Sequence, residues 1–261
     1  MSKKTDYILE QMIKAYLNEQ NPIGSMLLQD SLNVPASTIR VYFKQLDSDG
    51  YISKLHASGG RIPTQKAMKY YWHQFFNYTF NTELEINSSL ELLKVASEND
   101  LFCLVVDNNK VFLNEVLNID NRFIILDFSQ KQVLINFNDE LNVLFNQIKG
   151  YEINDIKTIL YRLNLLNILD EIENAFKNKI KFICGEKIFA SIVKLSSFSS
   201  IMNAKLLDYF TSSLIYDELF LPEYMGVKID CNFKQNKSTL VLAGSIFTDY
   251  ENVLNQLREA I

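Results

Sequence analysis

Cysteine and histidine are scarce in these 261 residues: three Cys and two His, with a single Trp. Cys103, Cys184 and Cys231 stand far apart, each in an apolar stretch, and no C-x-x-C pair exists. That excludes a zinc ribbon or a dithiol redox motif. The odd count and the apolar settings point to reduced core thiols and a cytoplasmic protein. Long apolar runs are missing as well. The longest clean one, Leu101 to Val106, is six residues, where roughly 20 are needed to cross a bilayer, so no membrane segment is expected. The opening Met1-Ser2-Lys3-Lys4-Thr5-Asp6 leads into an amphipathic stretch, unlike the apolar core of a signal peptide. G-x-S-x-G, H-E-x-x-H and G-x-x-x-x-G-K-[ST] do not occur. With no nucleophile set beside a base, neither an enzyme nor a cofactor is expected.

What is present is ordinary globular material, 48% apolar and 22% charged, enough to build a core without a disulfide or metal staple. The net charge of −5 argues against a generic nucleic-acid coat. Its distribution is uneven. Residues 1–75 hold nine Lys/Arg against six Asp/Glu, or +3, and the rest holds seventeen against twenty-five, or −8. A mildly basic head on an acidic body suits a module that touches phosphate without coating it.

The head reads as three helices and a hairpin. Ile8, Leu9, Met12, Ile13, Tyr16 and Leu17 follow the helical period, and Asn21-Pro22 ends that helix. A short second helix, capped at Gly24-Ser25, turns Leu27, Leu28 and Leu32 inward. A third runs from about Ala36 to Ser48, with Ile39, Tyr42, Phe43 and Leu46 on its inner side. Its outer side carries Ser37, Val41, Lys44 and Ser48, flanked by Thr38, Arg40 and Gln45. That face is short-chained, polar and basic, fit to donate to phosphates and base edges. Gly50 stops the helix, Tyr51 to Leu55 alternates as a strand, and "HASGG" turns it back through Arg61-Ile62-Pro63. This order is that of a winged helix-turn-helix. The DNA-contacting residues expected from it are Ser37, Thr38, Arg40, Val41 and Lys44 in the helix, and His56, Ser58, Gly60 and Arg61 in the wing. Thr64 caps a fourth helix, with Tyr70, Tyr71, Trp72, Phe75 and Phe76, that ties head to body. A winged helix used for protein contacts stays open beside the DNA reading.

Here the sequence resembles a known family. "STIRVYFKQLDSDGYISKLHASGGRIPTQK" is similar to the head of the HrcA-type heat-shock repressors, and "NPIGSMLL" to the segment before their second helix. Two body stretches, "FICGEKIFASI" and "LAGSIFTDYENVLNQL", match loosely. Where the family has Asn after STIR, this chain has Val41, which offers a base only apolar contact. Near the C-terminus Ser245-Ile246-Phe247 replaces the family's Pro-x-Arg.

In the body, Leu84 to Ala96 is helical in pattern. Leu101–Val106 with Val111–Val116, and Phe123–Phe128 with Val133–Phe137, read as two hairpins. From Asp139 to Lys179 the period is helical, a late strand pair spans Gly226–Phe233 and Thr239–Phe247, and a last helix spans Tyr250 to Glu259. The fold class is therefore α+β. The resemblance implies that the body is GAF-like with an inserted dimerising segment. That lays the chain out as 1–75 winged helix, 76–138 and 182–261 the two parts of the GAF-like domain, and 139–181 the insertion. It implies a homodimer on an inverted-repeat operator of duplex DNA at chaperone operons, its activity promoted by the GroEL chaperonin. The alternatives are a regulator sensing a small molecule in the GAF-like body, and an interaction module without DNA binding.

Overall fold

The structure, a computed structural model, describes residues 2–54, 59–76, 84–108, 110–128, 131–176, 180–194 and 205–259. Helix α1 (Lys3–Glu19) starts where Ser2 Oγ accepts from the Thr5 amide at 3.2 Å. It buries Ile8, Leu9, Met12, Ile13 and Leu17, the stripe its period predicts. Helix α2 (Ser25–Leu32) buries only Leu28; Leu32 is half-buried, and Leu27, expected beside them, is exposed. Leu28 and Leu32 lie four residues apart on one face, and a helix of two turns has no room for a wider stripe. Helix α3 (Ala36–Ser48) buries Ile39, Phe43 and Leu46. It ends at Gly50, at φ +75°, where the amides of Gly50 and Tyr51 donate to the carbonyls of Asp47 and Leu46 at 3.0 and 2.8 Å. Strands β1 (Ile52–Lys54) and β2 (Arg61–Pro63) then pair antiparallel.

Thr64 caps α4 (Gln65–Gln74), its side chain accepting from the Ala67 amide. Trp72, fully buried on α4, donates from Nε1 to the Ile246 carbonyl at 2.7 Å and meets Tyr250 edge to face at 5.4 Å. Through it one apolar cluster runs from Ile8 and Met12 in the head to Val227, Leu240 and Leu254 in the body.

Contacts divide the chain into two compact units, Met1–Val105 with Phe182–Gln235 and Thr239–Ile261, and Val106–Lys181 with Asn236–Ser238. Behind the head, the first unit is built on a sheet in the order β3-β10-β11-β4-β8, with β9 also on β10. These strands are β3 (Leu84–Ile86), β4 (Phe102–Asp107), β8 (Ile180–Cys184), β9 (Leu214–Ile215), β10 (Tyr224–Phe233) and β11 (Asn236–Ser245). Helices α5 (Ser89–Glu98), α9 (Glu186–Ile192) and α10 (Tyr250–Glu259) accompany them. The helical reading of Leu84 to Ala96 holds only from Ser89. Leu84 and Ile86 are buried about a half-buried Glu85 in a strand parallel to β10, and Ser88 caps the helix that follows. All three cysteines are buried, on β4, β8 and β10.

The second unit holds an antiparallel sheet of β5 (Glu115–Ile119), β6 (Phe123–Asp127) and β7 (Gln132–Asn136). Helices α6 (Asp139–Gln147), α7 (Ile153–Arg162) and α8 (Leu166–Ala175) complete it. One sheet face, with Ile124, Leu126, Val133 and Ile135, shares a core with Phe145, Ile156, Leu160 and Ile172. The expected pairing of β6 with β7 forms. The expected hairpin of Leu101–Val106 with Val111–Val116 does not: β4 sits in the large sheet, while Val111 and Leu113 exchange backbone bonds with Gly150, Tyr151 and Ile153. Both runs are apolar enough for either partner, and nothing local selects one. No helix among the described residues is long and apolar enough to cross a membrane.

Candidate nucleic-acid interface

The outer side of α3 is open. Ser37, Thr38, Arg40, Val41 and Lys44 are all exposed, Val41 at 68%. At the helix start the Pro35 carbonyl accepts from the Thr38 and Ile39 amides. The Ala36 amide donates to Gln29 Oε1 on α2 at 3.2 Å, which locks the two helices together at that end. What remains outward is hydroxyl, guanidinium, isopropyl and ammonium, a mixture of donors and one apolar contact.

The hairpin is fixed to the head by its backbone. Ile23, just before α2, forms a bridge to Arg61, each amide donating to the other's carbonyl at 2.8 Å. A Cβ on Gly60 would stand 2.6 Å from the Pro22 carbonyl oxygen. Gly60 is thus required by the chain's own Pro22–Ile23 backbone, a reason the sequence reading, which reserved it for approach to DNA, did not contain. Arg61 is also partly committed to the fold. Its side chain is 17% exposed, its Nε lies 3.9 Å from Asp47 Oδ2, and Nη1 donates to the Gly59 carbonyl at 3.4 Å. His56 and Ser58 fall outside the described residues.

Between α2, α3 and the hairpin lies a concavity of about 440 Å³, its walls including Gly24, Met26, Arg40, Phe43, Gly60 and Arg61. Arg40 Nε donates to Ser25 Oγ at 3.1 Å across its edge. Two arginines and no carboxylate line it among the described residues. The stretches "NPIGS", "STIR" and "GGRIP" therefore converge on one place. Ser25 is the member that sequence reasoning passed over, since it was read as a helix cap alone; its place in the quoted "NPIGSMLL" was the available signal. Among the described residues no group of three His, Cys, Asp or Glu side chains could hold a metal ion.

Comparison with known proteins follows the same lines. The profile of the HrcA C-terminal domain matches residues 72–261. Two relatives from Helicobacter pylori, each called heat-inducible transcription repressor HrcA, align along nearly all of the chain. The one from strain J99 is 29% identical over 255 residues, 95% of this chain and 92% of its own. The one from strain 26695 is 28% identical over 263 residues, 98% and 95%. A relative of that name from Chlamydia trachomatis serovar A is 46% identical over 70 residues, 26% of this chain and 18% of its own. Among solved structures, one described only as a hypothetical protein covers 99% of this chain and 97% of its own, at TM-score 0.46 and 16% identity.

Proposed function

Given that this chain belongs to the HrcA family, we propose that it is a heat-inducible transcription repressor that binds duplex DNA through its first 75 residues. In this reading α1 to α3 with β1 and β2 form a winged helix-turn-helix, and α3 is the recognition helix. The observation that carries it is the exposed outer face of α3, where Ser37, Thr38, Arg40, Val41 and Lys44 stand free of any fold-internal burial. Ser37 and Thr38 meet phosphate at the helix tip, and Lys44 and Val41 reach into the major groove. Val41 favours an apolar partner such as a thymine methyl. Arg61 acts from the wing, with Ser58, Gly60 and His56 beside it.

The finer parts of the proposal rest on family membership. Residues 76–138 and 182–261 are the two parts of a GAF-like domain, and the segment 139–181 between them dimerises the chain. Two heads then sit on the half-sites of an inverted repeat at chaperone operons, where the bound protein excludes polymerase. The GroEL chaperonin promotes the active form, and unfolded protein that occupies the chaperonin on heating relieves repression.

Selection from a random duplex library with the purified full chain tests the reading. It expects a symmetric, enriched sequence whose affinity falls steeply with salt. Failure to enrich any sequence rejects it. Lys44→Ala is expected to weaken binding and to lower the salt slope by about 0.9, the share of one phosphate contact, or to relax one base position if Lys44 reads an edge. A variant indistinguishable from wild type on both measures removes Lys44 from the interface.

A further inference from the structure

An arginine in a recognition helix invites a base-reading role, because arginine forked onto guanine is the commonest specific contact. The geometry of Arg40 points elsewhere. It lies in the second turn of α3, and its Nε donates to Ser25 Oγ, the side chain of the first residue of α2, at 3.1 Å. The side-on edge of the guanidinium is thereby occupied and the plane is turned across toward α2. Its Nη groups have no partner among the described residues, and the side chain lines the concavity that Arg61 lines from the hairpin.

We propose that Arg40 and Arg61 together hold one backbone phosphate in this concavity, and that Ser25 is the positioning residue that turns Arg40 away from the base edges. The proposal rests on the DNA-binding reading above and deepens it. It leaves base discrimination on α3 to Val41 and Lys44.

Three features support it. First, two arginines from separate elements line one concavity with no carboxylate among its described lining residues. An anion between them relieves their repulsion, and a phosphate diester offers the acceptor oxygens that both forks need. Second, the walls are fixed before any ligand arrives. The Ile23–Arg61 bridge and the contact of Gly60 with Pro22 set the hairpin against the start of α2, and Gln29 holds α3 to α2. Third, Arg61 Nε is buried with no hydrogen-bond partner, and its nearest carboxylate, Asp47, is 3.9 Å away. Closed to solvent, Nε itself receives nothing, but an ion pair this long leaves the guanidinium charge only partly compensated, and an anion at the exposed part of the side chain completes it.

The test separates a phosphate anchor from a base reader, since the first lowers affinity for every sequence alike and the second relaxes one position. The probes are the duplex enriched from a random library and a set of its single base-pair replacements. Each is titrated at several salt concentrations with wild type, Arg40→Ala, Ser25→Ala and Ser25→Thr, all checked for folding by circular dichroism. Arg40→Ala is expected to weaken every duplex by one common factor, to keep their ranking, and to reduce the salt slope by about 0.9. Ser25→Ala is expected to give a smaller loss that is also uniform, and Ser25→Thr, which keeps the acceptor oxygen, to restore wild-type affinity. If Arg40→Ala flattens discrimination at one base pair and leaves the slope unchanged, Arg40 reads a base and the proposal is overturned. If Ser25→Ala equals wild type throughout, the positioning role is overturned. If wild type enriches no duplex and shows no salt-dependent binding, the DNA reading itself fails, an outcome distinct from both.

Discussion

The hairpin β1–β2 and the three-stranded sheet β5–β7 are both short antiparallel structures, yet they are specified in opposite ways. In the hairpin, three-residue strands are held by backbone against backbone: Ile23 exchanges two bonds with Arg61, and Gly60 sits where a Cβ would meet the Pro22 carbonyl. Particular residues are irreplaceable there. In β5–β7, five-residue strands are held by side chains that alternate across the sheet. Leu126 pairs with Val133 on the packed face, while Leu134, paired with Ile125, faces outward at 56% exposure. There only the alternation matters, and many residues satisfy it. Backbone contacts thus leave a motif in the sequence, and side-chain packing leaves a pattern.

Three substitutions sharpen or break that contrast. Leu126→Ala removes a fully buried side chain and is expected to destabilise by about 2–5 kcal/mol. Urea unfolding followed by peptide-level hydrogen exchange reads it, with the loss of protection concentrated in residues 106–181. An equal loss in both compact units would show that the second has no core of its own. Gly60→Ala is expected to cost roughly 1–3 kcal/mol, because the strain falls on backbone and not on a side chain that can turn away. Thermal unfolding within about 0.5 kcal/mol of wild type would mean that the hairpin yields, and the contrast with β5–β7 would fail. Leu134→Thr is the smallest change, expected within about 0.5 kcal/mol, since a β-branched residue suits an open sheet face. A larger loss by the same unfolding measurement would reveal something that covers that face in solution.

The same contrast explains what could be read in advance. The inward residues of α1 and α3, the stop at Gly50 and the cap at Thr64 were all legible, because each depends on neighbours within a few residues. Leu27 misled, since an apolar residue at helical spacing still needs a surface to meet. The strand at Leu84–Ile86 was absorbed into the helix that follows it, because its partner in β10 lies far along the chain. Of the candidate site residues, those on α3 were placed outward by period alone. The commitment of Arg61 to Asp47 and of Gly60 to Pro22 left no mark in local spacing.

By itself the sequence determined which faces of the helices are apolar, where the turns fall in the first 75 residues, and which segments carry family motifs. Those properties follow from the 3.6- and two-residue periods and from the steric limits of Gly and Pro, all of them local. Only the tertiary structure decided that "NPIGS", "STIR" and "GGRIP" share one concavity, that Arg40 donates to Ser25, and that β4 joins β11 and β8 instead of its neighbour in sequence. The reason is physical: a hydrogen-bond donor or an apolar strand states what it needs, and many distant segments can supply it. Which one does is settled only when the whole chain packs.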